Sequence, residues 1–457
     1  MSSQPVAAII LAAGRGTRMK SNLHKVLHPL AGRPMLLHLL ASVDALEPAA
    51  KVVVVGSQRE QVEAAIAGTG TAIAVQDPQH GTAHAVQQAE EALKGFDGDV
   101  LILYGDVPLV STATMAAMLG QLDDTTAVVV LGFRPDDAAA YGRIEADDSG
   151  RITKMVEFKD ASPAERAITL CNSGLMAVRS ADLWSLLARV GNDNAAKEYY
   201  LPDIVGLATG DGKRAIVIET TPEEVAGINS RAELAGVEAA WQVVRRRQMM
   251  DNGVTLIAPE TVWFAYDTEI GRDVTIEPNV FFGPGVRIAE GATVHAFSHI
   301  SGATLGAGAE VGPFVRLRPG AELGAGSKVG NFVEIKKAKL GDGAKASHLT
   351  YLGDADIGAG ANIGAGTITC NYDGFFKYRT VIGAGAFIGS NSALVAPVTI
   401  GAGAIVGAGS VITRDVEADA LATARGDQAA KPGWAARFRA AQTAKKALAK
   451  KSSGKKA

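Results

Sequence analysis

Cysteine is scarce: Cys171 and Cys370 are the only two in 457 residues. Two cysteines make neither a disulfide framework nor a zinc site, so both are read as inert thiols in a reducing compartment. Long apolar runs are missing too, since no stretch approaches the ~20 residues that a membrane-spanning helix requires. The first apolar run, Val6 to Leu11, is short, and its charges follow it rather than precede it. That is the wrong order for a signal peptide. These absences point to a cytoplasmic protein without a membrane partner. The net charge is only −3, yet nine Lys or Arg and no acid lie between Lys431 and Ala457, leaving 36 bases against 48 acids, or −12, elsewhere. A body this acidic does not suggest nucleic-acid binding.

A further absence lies in the loop "LAAGRGTRM", Leu11 to Met19. It lacks the third glycine of a dinucleotide fingerprint, and it lacks the Gly-Lys-Ser/Thr of a nucleoside triphosphatase loop. What it has is Gly14, Gly16 and two arginines directly after a strand-like run, which suits the oxygens of a phosphate chain. A surface turn with positive φ at both glycines and solvated arginines fits the loop equally well. Its surroundings decide. The runs "AAIILAA", "KVVVVG", "DVLILYGD" and "TAVVVLG" alternate with amphipathic segments, the pattern of a parallel sheet covered on both faces. Ligands of such sheets sit at the carboxyl ends of the strands, where the loop and Asp106 both emerge. A carboxylate sharing an edge with a phosphate loop points to Mg²⁺.

"LAAGRGTRM" followed by "HKVLHPLAGRPML" resembles the signature of the sugar-phosphate nucleotidyltransferases. "QDPQHGTAHAV", "YGDVPL", "YGRI", "MVEFKD", "CNSGLM" and "VAGINSR" follow in the family's order. The resemblance implies that Leu11, Gly14 and Tyr104 line a UTP site, that Gln76, Gly81 and Thr82 contact uracil, and that Gly142, Glu157 and Asn172 hold an N-acetylhexosamine phosphate. It implies that Asp106 and Asn229 bind the metal, while Arg18 and Lys25 offset charge on the phosphates. Such a transfer depends on positioning and charge dispersal, and the attacking phosphate, already an anion, needs no general base.

After Asn229 a helix is expected from a capping box, Ser230 and Glu233, to Asn252-Gly253, with Leu234, Val237, Trp241 and Val244 on one stripe. At ~1.5 Å per residue it spans ~30 Å and reads as a linker. Beyond it the sequence counts in sixes. Ile270, Ile276, Phe282, Ile288, Val294 and Ile300 form one series; Leu305, Val311, Leu317, Leu323, Val329 and Ile335 a second; Ile382, Ile388, Leu394, Ile400, Val406 and Ile412 a third. At 47% hydrophobic residues, eighteen hits in eighteen trials has chance odds on the order of one in a million. The period and the small residues between the hits, together with 52 glycines crowded into the second half, indicate a parallel β-helix.

Deviations from the period mark where chemistry sits on such a rigid coil. The register loses one residue after Ile300, Ile335 and Leu352, and "TCNYDGFFKYRT" reads as a protruding loop. Arg318 and Lys336 are one coil of 18 residues apart, so they are expected to stack at about 4.8 Å, a repulsive arrangement that calls for an anion. His348 follows close by. No plausible nucleophile accompanies it, so acyl transfer here would be direct, with a histidine taking the proton of a sugar ammonium.

The whole chain from Ala7 to about Arg425 is similar to the family of bifunctional bacterial N-acetylglucosamine-1-phosphate uridyltransferases and glucosamine-1-phosphate N-acetyltransferases, nearly residue for residue in "ASHLTYLGDADIGAGANIGAGTITCNYDG". This resemblance implies a Rossmann-like α/β domain (residues 1–229), a linker helix (230–251), a left-handed β-helix (252–430) and a basic, disordered tail (431–457). It implies His348 as base, glucosamine 1-phosphate on Arg318, Lys336, Tyr351 and Asn362, and Asn371, Tyr372 and Lys377 in a loop near substrate or acetyl-CoA. Acetyl-CoA would meet Ala365, Ser390, Ala408 and Arg425. It further implies homotrimers with shared acetyl-transfer sites, and supply of peptidoglycan and lipopolysaccharide precursors. Two other readings, a single-activity nucleotidyltransferase with an inert solenoid and a non-catalytic scaffold, leave His348, the Arg318/Lys336 pair and the intact Gly14, Arg18, Lys25 and Asp106 without a purpose.

Overall fold

The computed structural model describes residues 4–14, 16–56, 58–138 and 140–453, and Arg15 of the phosphate loop lies outside them. The chain divides into two compact units, Met1–Val286 and Arg287–Ala457. Helix 231–251 and the first solenoid strands therefore belong to the first unit, a later division than the sequence resemblance implies.

In the N-terminal unit, strands β1 (Val6–Ala12), β2 (Ala50–Val55), β3 (Ala72–Val75), β4 (Asp99–Tyr104), β5 (Thr126–Phe133), β6 (Cys171–Arg179) and β7 (Arg214–Thr220) lie in the order β7-β5-β6-β4-β1-β2-β3. Both faces of this sheet are covered. Ala7, Ile9 and Leu11 of β1 enter one apolar core while Ala8, Ile10 and Ala12 enter the other. That is why β1 is a continuous apolar run rather than an alternating one. The sheet is not wholly parallel: β6 runs antiparallel to both β4 and β5. Burial on both faces gives an apolar run whatever the strand direction, so the sequence pattern could not show it. The chain between β5 and β6 is a hairpin, Arg143–Ala146 with Ile152–Val156, instead of the crossover helix that a parallel return needs.

Helix α1 (Thr82–Gln87) follows β3, and helix α2 (Arg231–Asp251) opens with the expected capping box. Ser230 Oγ accepts from Glu233 N at 3.2 Å, and Glu233 Oε2 accepts from Ser230 N at 2.9 Å and from Asn229 N at 2.6 Å. The cap thereby fixes Asn229. The buried face of α2 differs from the expected stripe, because Val244 is 56% exposed while Gln242 is fully buried. Gln242 satisfies both backbone groups of Phe264, at 2.7 and 3.0 Å. A polar residue that pairs with a buried backbone outcompetes a valine here, so α2 packs on its own unit instead of standing free.

In the C-terminal unit the six-residue period becomes a left-handed parallel β-helix. Of the eighteen apolar positions along the chain, only Ile270 escapes full burial. Unbroken coils pair residues eighteen apart, as in Leu305↔Leu323 and Leu317↔Ile335. Where the register drops a residue the pairs are seventeen apart, as in Ile335↔Leu352 and Leu340↔Ile357. Each buried Ile, Val or Leu contributes roughly 1.5–3 kcal/mol, which makes slippage of the register costly. The segment "TCNYDGFFKYRT" does protrude, closed by a Tyr372↔Lys377 bridge, and Asp373 Oδ1 accepts from the N–H groups of Phe375 and Phe376.

The basic tail, expected to be disordered, instead forms helix α3 (Trp434–Ser453), exposed along its described side chains. Alanine and lysine favour helix, and no Pro or Gly interrupts the segment after Gly433. No described helix is long and apolar enough to cross a membrane.

The N-terminal unit buries His24 and His28, each 2% exposed, beside Lys25. Neither ring nitrogen of His24 has a hydrogen-bond partner among the described residues. Burial, reinforced by Lys25 and His28, holds His24 below its ordinary pKa of 6.5. Burial and Arg231 do the same to His28. Both are therefore neutral when folded, and below about pH 6.5 the unfolded chain takes up protons that the folded chain refuses. Stability is expected to fall between pH 7 and 5, by at most about 1.4 kcal/mol per pH unit for each histidine. In thermal melts across this range, His24→Leu is expected to flatten the loss. The comparison with wild type separates the imidazoles from carboxylates such as Glu157, whose raised pKa acts in the opposite sense. An equal slope in the variant would contradict the assignment.

Candidate functional sites

At the carboxyl end of the N-terminal sheet the register aligns Leu11 with Tyr104 and with Val54. Gly105 N donates to Leu11 O at 2.9 Å and Gln76 N to Val55 O at 2.8 Å, so the ends of β1, β2, β3 and β4 meet. Between them opens a cavity of about 410 Å³. Leu11, Gly14, Lys25, Gln76, Gly81, Thr82, Tyr104 and Asp106 all line it. Gln79 and Glu198 line it as well, and sequence reading missed both. Gln79 Nε2 donates to Ala13 O, tying the phosphate loop to the chain after β3. No motif spacing announces such a side-chain-to-backbone tie.

Lys25 Nζ lies 2.5 Å from Asp106 Oδ2 and 3.1 Å from Asn229 Oδ1. One ammonium thus joins the two oxygen donors that the sequence marks for a metal. Gly16, at φ 59°, allows this: a β-carbon there would come within 2.5 Å of Lys25 Cβ. Among the described residues no cluster of three or more His, Cys, Asp or Glu side chains could hold a metal. A pair of oxygen donors that already converges on a cation fits Mg²⁺, which binds through one or two protein oxygens and completes its shell with water and substrate phosphates. Lys25 must then leave that position. Arg18 is exposed on a 3₁₀ turn, Thr17–Met19, and does not line the cavity.

Gly142, Glu157 and Asn172 form a separate group beside Tyr104. Asn172 N donates to Gly142 O at 2.9 Å, and a side chain on Gly142 would meet Glu157 Oε1 at 3.3 Å. Gly174 packs on the Tyr104 ring so closely that a β-carbon would come within 2.8 Å. Burial raises the Tyr104 phenol far above its usual pKa, with Asp106 and Glu157 adding to the shift. It therefore remains a neutral donor. Burial first, then Asp203 and Asp160, raises the Glu157 carboxyl.

On the solenoid, Arg318 N donates to Ile335 O at 2.9 Å, placing Arg318 beside Lys336 on successive coils as their spacing predicts. The anion that this pair calls for is partly supplied by the protein: Glu334 Oε1 lies 2.8 Å from Arg318 Nη1. Lys336 has no such partner among the described residues. Lys377 from the protruding loop, and then Arg318, push its pKa down. Tyr351 and Asn371 converge over Gly353, where a β-carbon would come within 2.4 Å of the Tyr351 hydroxyl and 2.7 Å of the Asn371 amide. Asn371 Nδ2 donates to Asp354 Oδ2 at 2.5 Å. Tyr372 is 59% exposed on the loop, and Asn362 is half-buried in register with Lys345 and Phe387.

His348 is exposed, and its Nδ1 lies 2.8 Å from Asn331 Oδ1 on the preceding coil. An amide oxygen only accepts, so the proton sits on Nδ1 and Nε2 keeps a free lone pair. Asn331 was not singled out from sequence. Its signal is the shortened coil of seventeen residues that sets it beneath His348.

His348 also heads a column at one corner of the solenoid. Gly366 N donates to His348 O, Asn391 N to Ala365 O and Gly409 N to Ser390 O, while Arg425 Nη1 donates to Ala408 O at 2.7 Å. Ala365, Ser390, Ala408 and Arg425 are thereby aligned above the histidine. The left-handed corner position holds Asn279, then Phe297, Phe314, Phe332 and Leu349 in successive coils, and Gly366, Asn391 and Gly409 in the later ones.

Two family models match the sequence: the MobA-like NTP transferase domain over residues 8–199, and the bacterial transferase hexapeptide (six repeats) over 267–302 and 379–414. The bifunctional protein GlmU of Sphingopyxis alaskensis is 67% identical over 98% of this chain and 100% of its own length. That of Rhizorhabdus wittichii is 68% identical over 98% and 100%, and that of Zymomonas mobilis subsp. mobilis 59% over 95% and 98%. With both units covered at such identity, the chain belongs to the family of the bifunctional protein GlmU.

Proposed function

We propose that the chain makes UDP-N-acetylglucosamine in two steps: the solenoid acetylates glucosamine 1-phosphate from acetyl-CoA, and the N-terminal cavity joins the product to UTP with release of pyrophosphate. The observation that carries the reading is that one chain of this family holds, on its solenoid, a histidine oriented by an amide and a group of three cations, and, separately, an acid–amide pair bridged by a lysine at a set of strand ends. The work is cytoplasmic, where Cys171 and Cys370, both free, stay reduced.

For acetyl transfer, Arg318, Lys336 and Lys377 hold the sugar phosphate, and Tyr351, Asn362, Asn371 and Tyr372 orient the sugar. His348 Nε2 takes a proton from the substrate ammonium. The freed amine attacks the thioester carbonyl, the carbon–sulfur bond breaks, and the second amine proton passes to the sulfur, so that coenzyme A leaves as the thiol. Asn331, holding Nδ1–H, stabilises the imidazolium that forms. Acetyl-CoA lies along the corner column of Ala365, Ser390, Ala408 and Arg425, where Gly366 and Gly409 stand in place of the bulky corner residues of earlier coils.

For uridylyl transfer, Gln76, Gly81 and Thr82 take the base, Leu11, Gly14 and Tyr104 line the nucleotide site, and Gly142, Glu157 and Asn172 hold the N-acetyl sugar. The sugar phosphate oxygen attacks the α-phosphorus in line and pyrophosphate departs. Lys25, drawn off Asp106 and Asn229, offsets the charge on the phosphates, and Arg18 meets the departing pyrophosphate at the exposed end of the loop. Mg²⁺, held by Asp106 and Asn229, supplies charge neutralisation when bound.

The assembly is a homotrimer. Phe297, Phe314 and Phe332 are 54%, 47% and 56% exposed, with ring centroids 5.0 and 5.3 Å apart, and Leu349 extends the ladder at 64% exposure. Bulky residues in the left-handed region are strained, and an apolar row held out to water at that cost supports burial against a second copy.

His348→Ala is expected to cut acetyl transfer by at least about 100-fold and to spare uridylyl transfer. Asn331→Ala should give a smaller loss in the same step. Asp106→Ala should do the reverse, removing Mg²⁺-dependent uridylyl transfer alone. Near wild-type acetylation by His348→Ala would remove it as the base, and unchanged Mg²⁺ dependence would remove Asp106 from the metal site. In light scattering, Phe314→Glu/Phe332→Glu is expected to shift the mass from three chains toward one. A wild-type mass for this double variant would rule out the ladder as the interface.

A further inference from the structure

Gln76 forms part of the wall of the N-terminal cavity and is only 4% exposed. A glutamine amide has two N–H donors and one carbonyl acceptor, so which end meets a ligand depends on what holds the other. Gln76 Nε2 lies 2.8 Å from Gly81 O and 3.2 Å from His84 Nδ1. Both donors are thereby committed to the protein. The carbonyl Oε1 is what remains for a ligand.

His84 can take this hydrogen bond only as a neutral imidazole protonated on Nε2, with Nδ1 accepting. Burial, and then the neighbouring His80, whose ring centroid is 5.3 Å away, hold its pKa below the ordinary value. Its place on α1 is braced by Gln88 Nε2, which donates to His84 O at 3.0 Å. Were His84 absent, one N–H of Gln76 would be free to turn toward the ligand. The same side chain could then offer a donor as well as an acceptor.

We propose that His84 is a positioning residue for base selection: by engaging the second N–H of Gln76 it leaves only the amide carbonyl for the ligand. A lone acceptor suits a pyrimidine whose N3 carries hydrogen, as in uracil, and sets lone pair against lone pair for cytosine. The inference rests on the reading that this cavity takes UTP with its base at Gln76. It goes beyond that reading by assigning the choice of base to a residue that does not line the cavity.

The test is steady-state nucleotidyl transfer with UTP and with CTP by the full chain and by His84→Ala, His84→Asn and Gln76→Ala. His84→Ala is expected to raise KM for UTP by about tenfold with little change in kcat, and to cut the UTP-over-CTP ratio of kcat/KM by about tenfold or more. His84→Asn, whose side-chain oxygen can accept from the Gln76 amide, should restore most of the discrimination. A purely structural role for His84 would depress both nucleotides alike. If His84→Ala discriminates as wild type does while Gln76→Ala does not, the positioning role falls and the uracil reading stands. If Gln76→Ala also keeps the wild-type ratio, the placement of the base at Gln76 falls, and the role of His84 with it.

Discussion

In-register parallel pairing turns distance along the chain into position in space, and both units depend on it. In the solenoid each coil repeats the one before, so a side chain seventeen or eighteen residues earlier stands directly beneath its successor. Arg318 under Lys336 and Asn331 under His348 follow from that rule, and so does the corner column from His348 to Arg425 apart from the step from Ala365 to Ser390, which the protruding loop lengthens. In the N-terminal sheet the same pairing brings Leu11, Val55 and Tyr104 to one edge, which is where the loop, Gln76 and Asp106 emerge. Buried Ile, Val and Leu enforce the register, because a one-residue slip would turn each of them to water.

Charge then separates the two sites by the kind of ligand each needs. The solenoid gathers Arg318, Lys336 and Lys377, and among the described residues Glu334 pairs with the first alone, so an anion is still wanted at Lys336. The N-terminal cavity is closer to balance, with Lys25 shared between Asp106 and Asn229. Were Asp106 and Asn229 to hold a metal ion instead, Lys25 would be left to meet a phosphate. The capping box of α2 takes part in this arrangement, since Glu233 holds the backbone of Asn229. A local helix signal thus reaches into a ligand site.

Much of this was legible from sequence because it rests on periodicity. The spacing of six named the core residues of the solenoid, and the spacing of eighteen named Arg318 and Lys336 as neighbours. Ser230 and Glu233 announced the start of α2. What stayed hidden depends on partners that have no fixed spacing. The Gln242–Phe264 backbone pairing displaced Val244 from the buried face of α2. The direction of β6 was masked by its burial on both faces. Glu334, Gln79 and His84 act through contacts that only the folded chain reveals, and the helix at Trp434–Ser453 follows from propensity where charge suggested disorder. The motif of Arg18 announces a phosphate but not its place, which is exposed on the turn after the loop and outside the cavity lining.

On the proposed function one chain carries two sequential transfers, the product of the solenoid being the substrate of the sheet domain. The most direct measurement gives the full chain glucosamine 1-phosphate, acetyl-CoA, UTP and Mg²⁺, omits each in turn, and follows UDP-N-acetylglucosamine by chromatography. Product is expected only when all four are present, and supplying N-acetylglucosamine 1-phosphate instead is expected to make acetyl-CoA dispensable. A nucleotide sugar formed from glucosamine 1-phosphate without acetyl-CoA, or no product from N-acetylglucosamine 1-phosphate with UTP and Mg²⁺, would contradict it.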